Sequence, residues 1–292
     1  MADYGHDVQF GFFLDPSIGN PERTLEVAQI LDELHFDLIG IQDHPYNARH
    51  FDALSLSAVI LGQTKQIRVF PDVANLPLRP PAMLAKQAAT VDAISQGRLI
   101  VGLGAGWNRR EFDAFGLPYD RRVSRFAEAL AIIAPLLREG RTTFHGRYYD
   151  VDDCVLDPRP VRPGGPPIML GSNSPRMLGI GLPVVDSWNV WWSIYGNSVE
   201  RFAQIKGEVD AAVPEGRDVA ATAAVLVTLP GGHGRLMGET YDADVATVTP
   251  DDLADHVRGL AAAGATHLQL VLDPITADSI ETIGGVLADL DR

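Results

Sequence analysis

Apolar residues in this chain fall into short dense runs separated by longer stretches in which they return every three or four positions, and the two spacings alternate from end to end. Dense or alternating runs predict strands; the three-to-four spacing predicts amphipathic helices. The predicted strands cover residues 8–14, 38–42, 67–73, the start of a glycine-rich stretch at 97–111, then 168–170, 183–188, 221–229 and 267–272. The predicted helices cover 21–34, 54–61, 82–94, 121–137, Pro175–Gly181, 198–213, 250–263 and Ala277–Leu290. Residues 142–151 read as a hairpin around His145-Gly146, the proline-rich 157–167 as an irregular crossing, and the glycine-rich 230–238 as an insertion between the seventh strand and its helix. Eight strands alternating with eight helices is the count of a closed parallel barrel. The expected fold is therefore α/β, a single (β/α)8 TIM barrel with insertions, and no shift in composition divides 1–292 into more than one domain.

The stretch 97–111 changes this picture locally. Alternate residues of a strand share a face, so Arg98, Ile100, Gly102, Gly104 and Gly106 lie on one side and Leu99, Val101, Leu103, Ala105 and Trp107 on the other. One face loses its side chains where the strand ends, which suits either the close approach of something flat or close packing of a helix. The spacing is G-x-G-x-G and polar residues follow it, so it does not match a dinucleotide-binding loop.

Composition excludes more than it selects. A formal charge of -14 opposes polyphosphates at long range, and nucleic acid is not an expected partner. The single cysteine, Cys154, rules out an intrachain disulfide and any multi-cysteine metal site. No strand carries a His-x-His pair, so metal catalysis is not expected. No apolar run reaches the roughly 18 residues of a membrane span, and the first residues are polar, so no membrane association and a cytoplasmic location are expected.

In such a barrel ligands meet the C-terminal ends of the strands. The residues standing there are Asp15, Asp43, His44, Asn75, Trp107, Glu111, Ser172, Asn173, Ser174, Trp188, Asn189 and Asp273. Histidine is the side chain that moves protons near neutrality without special tuning, which makes His44 the candidate acid or base and its neighbour Asp43 the candidate group to orient it. Gly171-Ser172-Asn173-Ser174-Pro175 opens a helix, where free N–H groups and hydroxyls suit a phosphate, although capping alone explains Ser174. All four tryptophans follow the fourth strand or lie at and after the sixth, as a ring-lined mouth or as packing against loops.

These residues resemble the luciferase-like monooxygenase superfamily, barrel enzymes that use reduced FMN or the deazaflavin coenzyme F420. The resemblance runs through Phe-Gly-Phe-Phe-Leu in the first strand, Asp43-His44, Leu76-Pro77-Leu78-Arg79-Pro80-Pro81, Gly102-Leu-Gly104-Ala-Gly106-Trp107, Pro167-Ile-Met-Leu-Gly171-Ser172 and His267-Leu-Gln-Leu-Val-Leu-Asp273-Pro274. It implies that His44 is the acid/base residue, with Asp43 beside it, and that Asp72-Val73 forms a backbone bulge with a non-proline cis peptide that props the cofactor ring. It further implies that Asn75, Gly104, Gly106 and Trp107 border the cofactor in the barrel mouth, and that Gly171, Ser172, Asn173 and Ser174 hold its phosphate. The Asp-His-Pro-Tyr and Asp-Val-Ala-Asn-Leu-Pro-Leu-Arg-Pro-Pro stretches look more like the deazaflavin branch, which implies hydride transfer between coenzyme F420 and a small organic substrate. The alternatives are a monooxygenase using oxygen and FMN reduced by a separate reductase, and a non-catalytic flavin-binding subunit. The resemblance also implies a homodimer.

Overall fold

The computed structural model describes residues 6–232, 235–236, 239–240 and 246–290. Its strands, in chain order, are β1 (Gln9–Leu14), β2 (Leu38–Ile41), β3 (Arg68–Pro71), β4 (Ala74–Asn75), β5 (Val101–Gly104), β6 (Arg141–His145), β7 (Asp150–Val155), β8 (Ile168–Gly171), β9 (Ser187–Val190), β10 (Ala220–Thr228), β11 (Arg235–Leu236), β12 (Glu239–Thr240) and β13 (His267–Asp273). The helices are α1 (Pro21–Glu33), α2 (Ala53–Gln63), α3 (Pro81–Ile94), α4 (Arg109–Ala114), α5 (Arg122–Glu139), α6 (Pro175–Gly181), α7 (Trp192–Tyr195), α8 (Val199–Asp210), α9 (Pro250–Ala262) and α10 (Ala277–Leu290). Side chains start several of them at the strand-to-helix turns. Asn20, Asp52, Asn108, Ser174 and Ser198 each accept from an N–H of the first turn of α1, α2, α4, α6 and α8 respectively, satisfying donors that a helix otherwise leaves orphaned.

The main sheet runs β3-β2-β1-β13-β10-β9-β8-β5-β4, with every pairing parallel. Its two ends are halves of one strand, separated by Asp72 and Val73. Val69 also bridges to Leu99 just before β5: Val69 N–H donates to the Arg98 carbonyl and Ile100 N–H to the Val69 carbonyl, each at 3.0 Å. The sheet therefore closes on itself, and with β3 and β4 counted as one strand it is the expected eight-stranded barrel. β13 is buried along its whole length, as a parallel strand covered on both faces should be.

Within the ring Leu38, Phe70, Ile100 and Met169 form a buried cluster apart from the core under the helices. His267 and Gln269 fill the space beside it, His267 meeting the Phe70 ring edge to face at 5.7 Å. Gly11 and Gly40 admit them, since a Cβ at Gly11 would run into the His267 imidazole and one at Gly40 into the Gln269 amide.

Four departures from the sequence expectation matter for the site. The third strand does not run through 67–73 but breaks after Pro71, where the Asp72–Val73 peptide is cis. The sixth strand is Ser187–Val190 rather than 183–188, because the N–H groups of Val184 and Val185 turn back to the Gly181 carbonyl and close the end of α6. Two short helices, α4 and α7, were not anticipated; each occupies a strand-to-helix connection. The predicted insertion at 230–238 lies partly outside the described residues, and its β11 pairs antiparallel with β12, just beyond the predicted bounds. The hairpin is present as β6 and β7, with its turn at residues 146–149. Among the described residues no helix is long and apolar enough to cross a membrane.

The glycine face of β5 has the expected parity, and its occupant is protein. A Cβ at Gly104 would stand 2.7 Å from Val73 Cγ2 and one at Gly171, on β8, 2.6 Å from the same methyl. One at Gly102 would strike the Pro71 carbonyl, and one at Gly106 the Asn75 side chain. The glycines thus form a seat for the bulge, which fills the space that the sequence reading left open for a ligand. Gly104→Ala or Gly171→Ala should overpack this seat and cost roughly 1–3 kcal/mol. Adding Val73→Ala should recover most of the loss, measured by urea unfolding of the single and double variants; additive losses would show that Val73 is not what the glycines accommodate.

Candidate active site

The residues after β2 and β4 are tied together beneath the barrel mouth. Asp43, whose side chain is sealed from solvent, takes a bidentate ion pair from Arg79, with Nη1 to Oδ2 at 2.6 Å and Nη2 to Oδ1 at 2.9 Å. Asp43 Oδ2 also accepts the Asn75 N–H at 2.9 Å, and Arg79 Nη2 continues to Asp52 Oδ2, the α2 cap, at 2.8 Å. Burial works against the Arg79 charge, but Asp43 and then Asp52 outweigh it and raise its pKa. Arg79 is held by the Leu76–Leu78 turn and the prolines that start α3. It is therefore a buried structural cation rather than a surface one.

This arrangement gives Asp43 a different task from the one expected of it. It does not orient His44; it is committed to Arg79 and to the backbone of Asn75. The carboxylate that reaches His44 is Glu111, from the first turn of α4, which contacts His44 Nδ1 through Oε1. Glu111 is only 1% exposed, and its other oxygen, Oε2, accepts from Asn75 Nδ2 at 2.7 Å. Asn75 thus links Asp43, through its backbone, to Glu111, through its side chain. With Glu111 accepting at Nδ1, the proton of a neutral His44 sits on that nitrogen and Nε2 is left as an acceptor.

Rings surround His44. Tyr46 and Trp107 both meet it edge to face, at 6.0 and 6.1 Å between centroids. Tyr46 is fixed by a 2.7 Å bond from Asn108 Nδ2 to its hydroxyl, and Trp107 is 71% exposed. The other tryptophans do not line this mouth in the same way. Trp188 is buried, stacks on Phe202 and donates to the Ser172 carbonyl, Trp191 packs on Phe13, and Trp192 is buried in the core.

Across the lumen, Asn189 Nδ2 donates to Asp72 Oδ1 at 2.5 Å. Burial pushes the Asp72 carboxyl up to about 7, with Gln269 pulling the other way. Burial also pulls His267 down to about 3, the nearby Arg68 charge adding to the effect, so this lumen histidine is neutral. In the Gly171 turn, Ser174 is exposed and caps α6, its hydroxyl accepting from Met177 N–H at 3.4 Å. Ser172 Oγ accepts from Ser174 N–H at 3.4 Å, and Arg176 is drawn off to Ser124 Oγ at 2.7 Å. Asn173 Oδ1 is buried without a partner.

The sequence model of the luciferase-like monooxygenase family matches residues 8–229. The chain belongs to this family. Among curated relatives, the luciferase-like chain is 33% identical over 162 residues to the FMNH2-dependent dimethylsulfone monooxygenase of Pseudomonas fluorescens (strain Pf0-1), covering 54% of this chain and 42% of that protein's length. It is 27% identical over 254 residues to the pyrimidine monooxygenase RutA of Cronobacter sakazakii, covering 83% of this chain and 74% of that one. Among solved structures, it matches the coenzyme F420 dependent tetrahydromethanopterin reductase of Methanopyrus kandleri at a TM-score of 0.78 and 20% identity, over 96% of this chain and 97% of that one. The EDTA monooxygenase of Chelativorans sp. BNC1 matches at 0.79 and 16%, over 98% and 94%. At these identities the structural matches establish the shared barrel.

Sequence reasoning placed Glu111 at the mouth without giving it a task, and gave Arg79 none. The usable signal was a glutamate three residues beyond an asparagine able to cap a helix, and an arginine between prolines in a strand-to-helix turn. Replacing Arg79 with leucine leaves Asp43 buried without its cation and should cost about 3–5 kcal/mol. In the Arg79→Leu background, Asp43→Asn should recover part of this in urea unfolding. A loss below about 1 kcal/mol, typical of an exposed pair, would contradict the buried assignment.

Proposed function

We propose that the luciferase-like barrel is an oxidoreductase acting on a small organic substrate with reduced FMN and oxygen, with His44 as its acid/base residue. The observation that carries the choice of cofactor is the sequence relationship: the relatives that match in sequence are named as an FMNH2-dependent monooxygenase and a pyrimidine monooxygenase, whereas the coenzyme F420 enzymes share the fold at about 20% identity or less. This reverses the preference drawn from the Asp-His-Pro-Tyr stretch. Hydride transfer with coenzyme F420 is the second reading, favoured by the likeness of the Asp-His-Pro-Tyr and Asp-Val-Ala-Asn-Leu-Pro-Leu-Arg-Pro-Pro stretches to the deazaflavin branch. The reading takes 1–292 as one barrel domain and the reduced flavin as supplied by a separate reductase.

The residues present fit a planar ring. Asp72 and Val73 stand half-buried in the mouth on a glycine seat, and His44, Tyr46 and Trp107 offer ring edges around it. When bound, reduced FMN supplies the reaction with oxygen. His44 Nε2 takes or returns the proton at the reacting centre while Glu111 holds the imidazole in place, and Asn75 holds Glu111. Asp43 acts behind them by fixing Asn75. Gly104 and Gly106 serve the cofactor indirectly, by seating Val73 and Asn75, and Trp107 covers the mouth. Gly171, Ser172 and Asn173 offer the phosphate a turn in which the Ser172 hydroxyl hydrogen is free to donate; Ser174 contributes through the helix start it caps. A second copy of the chain is supported by the outer faces of α2 and α3, where Val59, Met83 and Ile94 are exposed and α2 bears no charged residue.

A positioned acid or base contributes on the order of 10² to 10⁴ in rate. His44→Ala and His44→Asn should lower turnover with reduced FMN by that much and leave flavin affinity near the wild-type value, with Glu111→Gln intermediate. Steady-state oxygen consumption and a flavin titration measure the two quantities. Turnover within about threefold of wild type in both His44 variants, well under that contribution, would remove His44 from the mechanism; binding of coenzyme F420 without binding of FMN would favour the second reading.

A further inference from the structure

Three side chains meet across the barrel lumen at the floor of the mouth: Asp72 from the bulge between β3 and β4, Asn189 from β9 and Gln269 from β13. Asn189 and Gln269 are 6% and 0% exposed. The one bond of normal geometry among them runs from Asn189 Nδ2 to Asp72 Oδ1, and Gln269 approaches the same carboxyl. Asp72 Oδ2, Asn189 Oδ1 and both amide atoms of Gln269 are sealed from solvent without partners. If Asp72 is ionised, its Oδ2 is a charged acceptor sealed from solvent with no donor bonded to it in good geometry, which is expensive to bury. A proton on Oδ2 removes the charge and turns that oxygen into a donor.

Among the described residues no cation offsets the charge of an ionised Asp72. On β13 the adjacent ionisable group is His267, which is neutral for the reason given above, and Asp273 at the end of that strand is acidic. Arg68, at the other end of β3, is coupled to Asp37. Asp15, after β1, serves Ser17, Asp43 is held by Arg79, and Glu111 is held by His44 and Asn75. An isolated buried carboxylate takes up a proton in preference to remaining charged.

We propose that Asp72 is held as a neutral carboxylic acid at pH 6 and below and closes, with Asn189 and Gln269, an uncharged floor to the barrel mouth. This deepens the flavin reading and rests on it for the ring, although the protonation of Asp72 is a property of the protein alone. An uncharged donor here suits a ring that gains negative charge on reduction, which an ionised Asp72 would repel. Asp72 is therefore a positioning residue whose charge state sets the mouth's preference for the reduced cofactor.

The direct test is carbon NMR of the protein without cofactor, carrying carboxyl-labelled aspartate, with Asp72→Asn to assign the signal. The expected result is a protonated Asp72 at pH 6; an ionised carboxylate at pH 5 overturns the proposal whatever the cofactor proves to be. Stability gives a second reading. Because the folded pKa is raised from 3.8 to about 7, this group's contribution is complete below pH 3.8 and is lost as pH rises to about 7. Asp72→Asn should remove that decline, and an unchanged pH slope counts against the proposal. With reduced FMN, wild-type affinity should fall roughly tenfold as Asp72 ionises, the scale of one charge near the ring in a partly screened site, and the Asp72→Asn protein should lack this loss. Equal pH dependence in both proteins overturns the role toward the cofactor, whereas failure of both to bind FMN overturns the flavin reading and leaves the NMR result to decide the charge of Asp72.

Discussion

The arrangement of this barrel depends on the seating of Val73. Two glycines on neighbouring strands, Gly104 and Gly171, give up their side chains to its methyl groups, and Gly102 gives way to the carbonyl of Pro71. Close packing makes such a fit all or none, because a single added methyl has nowhere to go. The seat allows one stave of the barrel to break at Asp72 and Val73 and resume at Ala74, and everything in the mouth follows from that break. Asp72 is turned into the lumen toward Asn189. Asn75 is placed with its backbone on Asp43 and its amide on Glu111.

The polar groups then form one chain from surface to centre: Asp52, Arg79, Asp43, Asn75, Glu111, His44. Its members come from the loop after β2, the cap of α2, β4, the turn before α3 and the start of α4, so the network also fastens successive strand-to-helix units to each other. One arginine in it answers two aspartates, and Glu111 is held by His44 and Asn75. A buried ionic network of this sort is a weak source of net stability, but removing one member is costly. Its value lies in holding one imidazole nitrogen occupied and the other available. The floor across the lumen has the opposite character, neutral amides around a carboxyl with no counter-charge. The mouth thus holds two carboxyl-bearing environments, one paired and one isolated.

Much of the fold was legible in the sequence because the alternation of spacings is a property of local burial, and local burial is what periodicity records. The eight staves, the hairpin and most helices follow from it. The sixth strand was misplaced because Pro183-Val184-Val185 is an apolar run that forms a turn in which only Val185 is buried, and an apolar run alone does not distinguish that from a ladder. At the site, His44 and Asn75 were legible from their positions after strands, and the bulge from the family resemblance. Which carboxylate serves His44 was not, since sequence adjacency favoured Asp43 whereas the pairing is set by α4, sixty-seven residues on. The glycines of β5 were read as space for a ligand because the sequence does not show which neighbouring strand bulges into them.

Through Asn75 and Glu111 the bulge presents His44 with Nδ1 occupied and Nε2 free. Nitrogen NMR of the His44 ring, assigned with His44→Asn, tests it most directly, because the two neutral tautomers have distinct patterns of nitrogen shifts and ring-proton couplings. Under conditions where the ring is neutral, the account predicts the Nδ1–H tautomer in the wild type and a shift toward a mixture of tautomers in Asn75→Ala, in which Glu111 loses its second anchor. A wild-type ring protonated at Nε2 would contradict it.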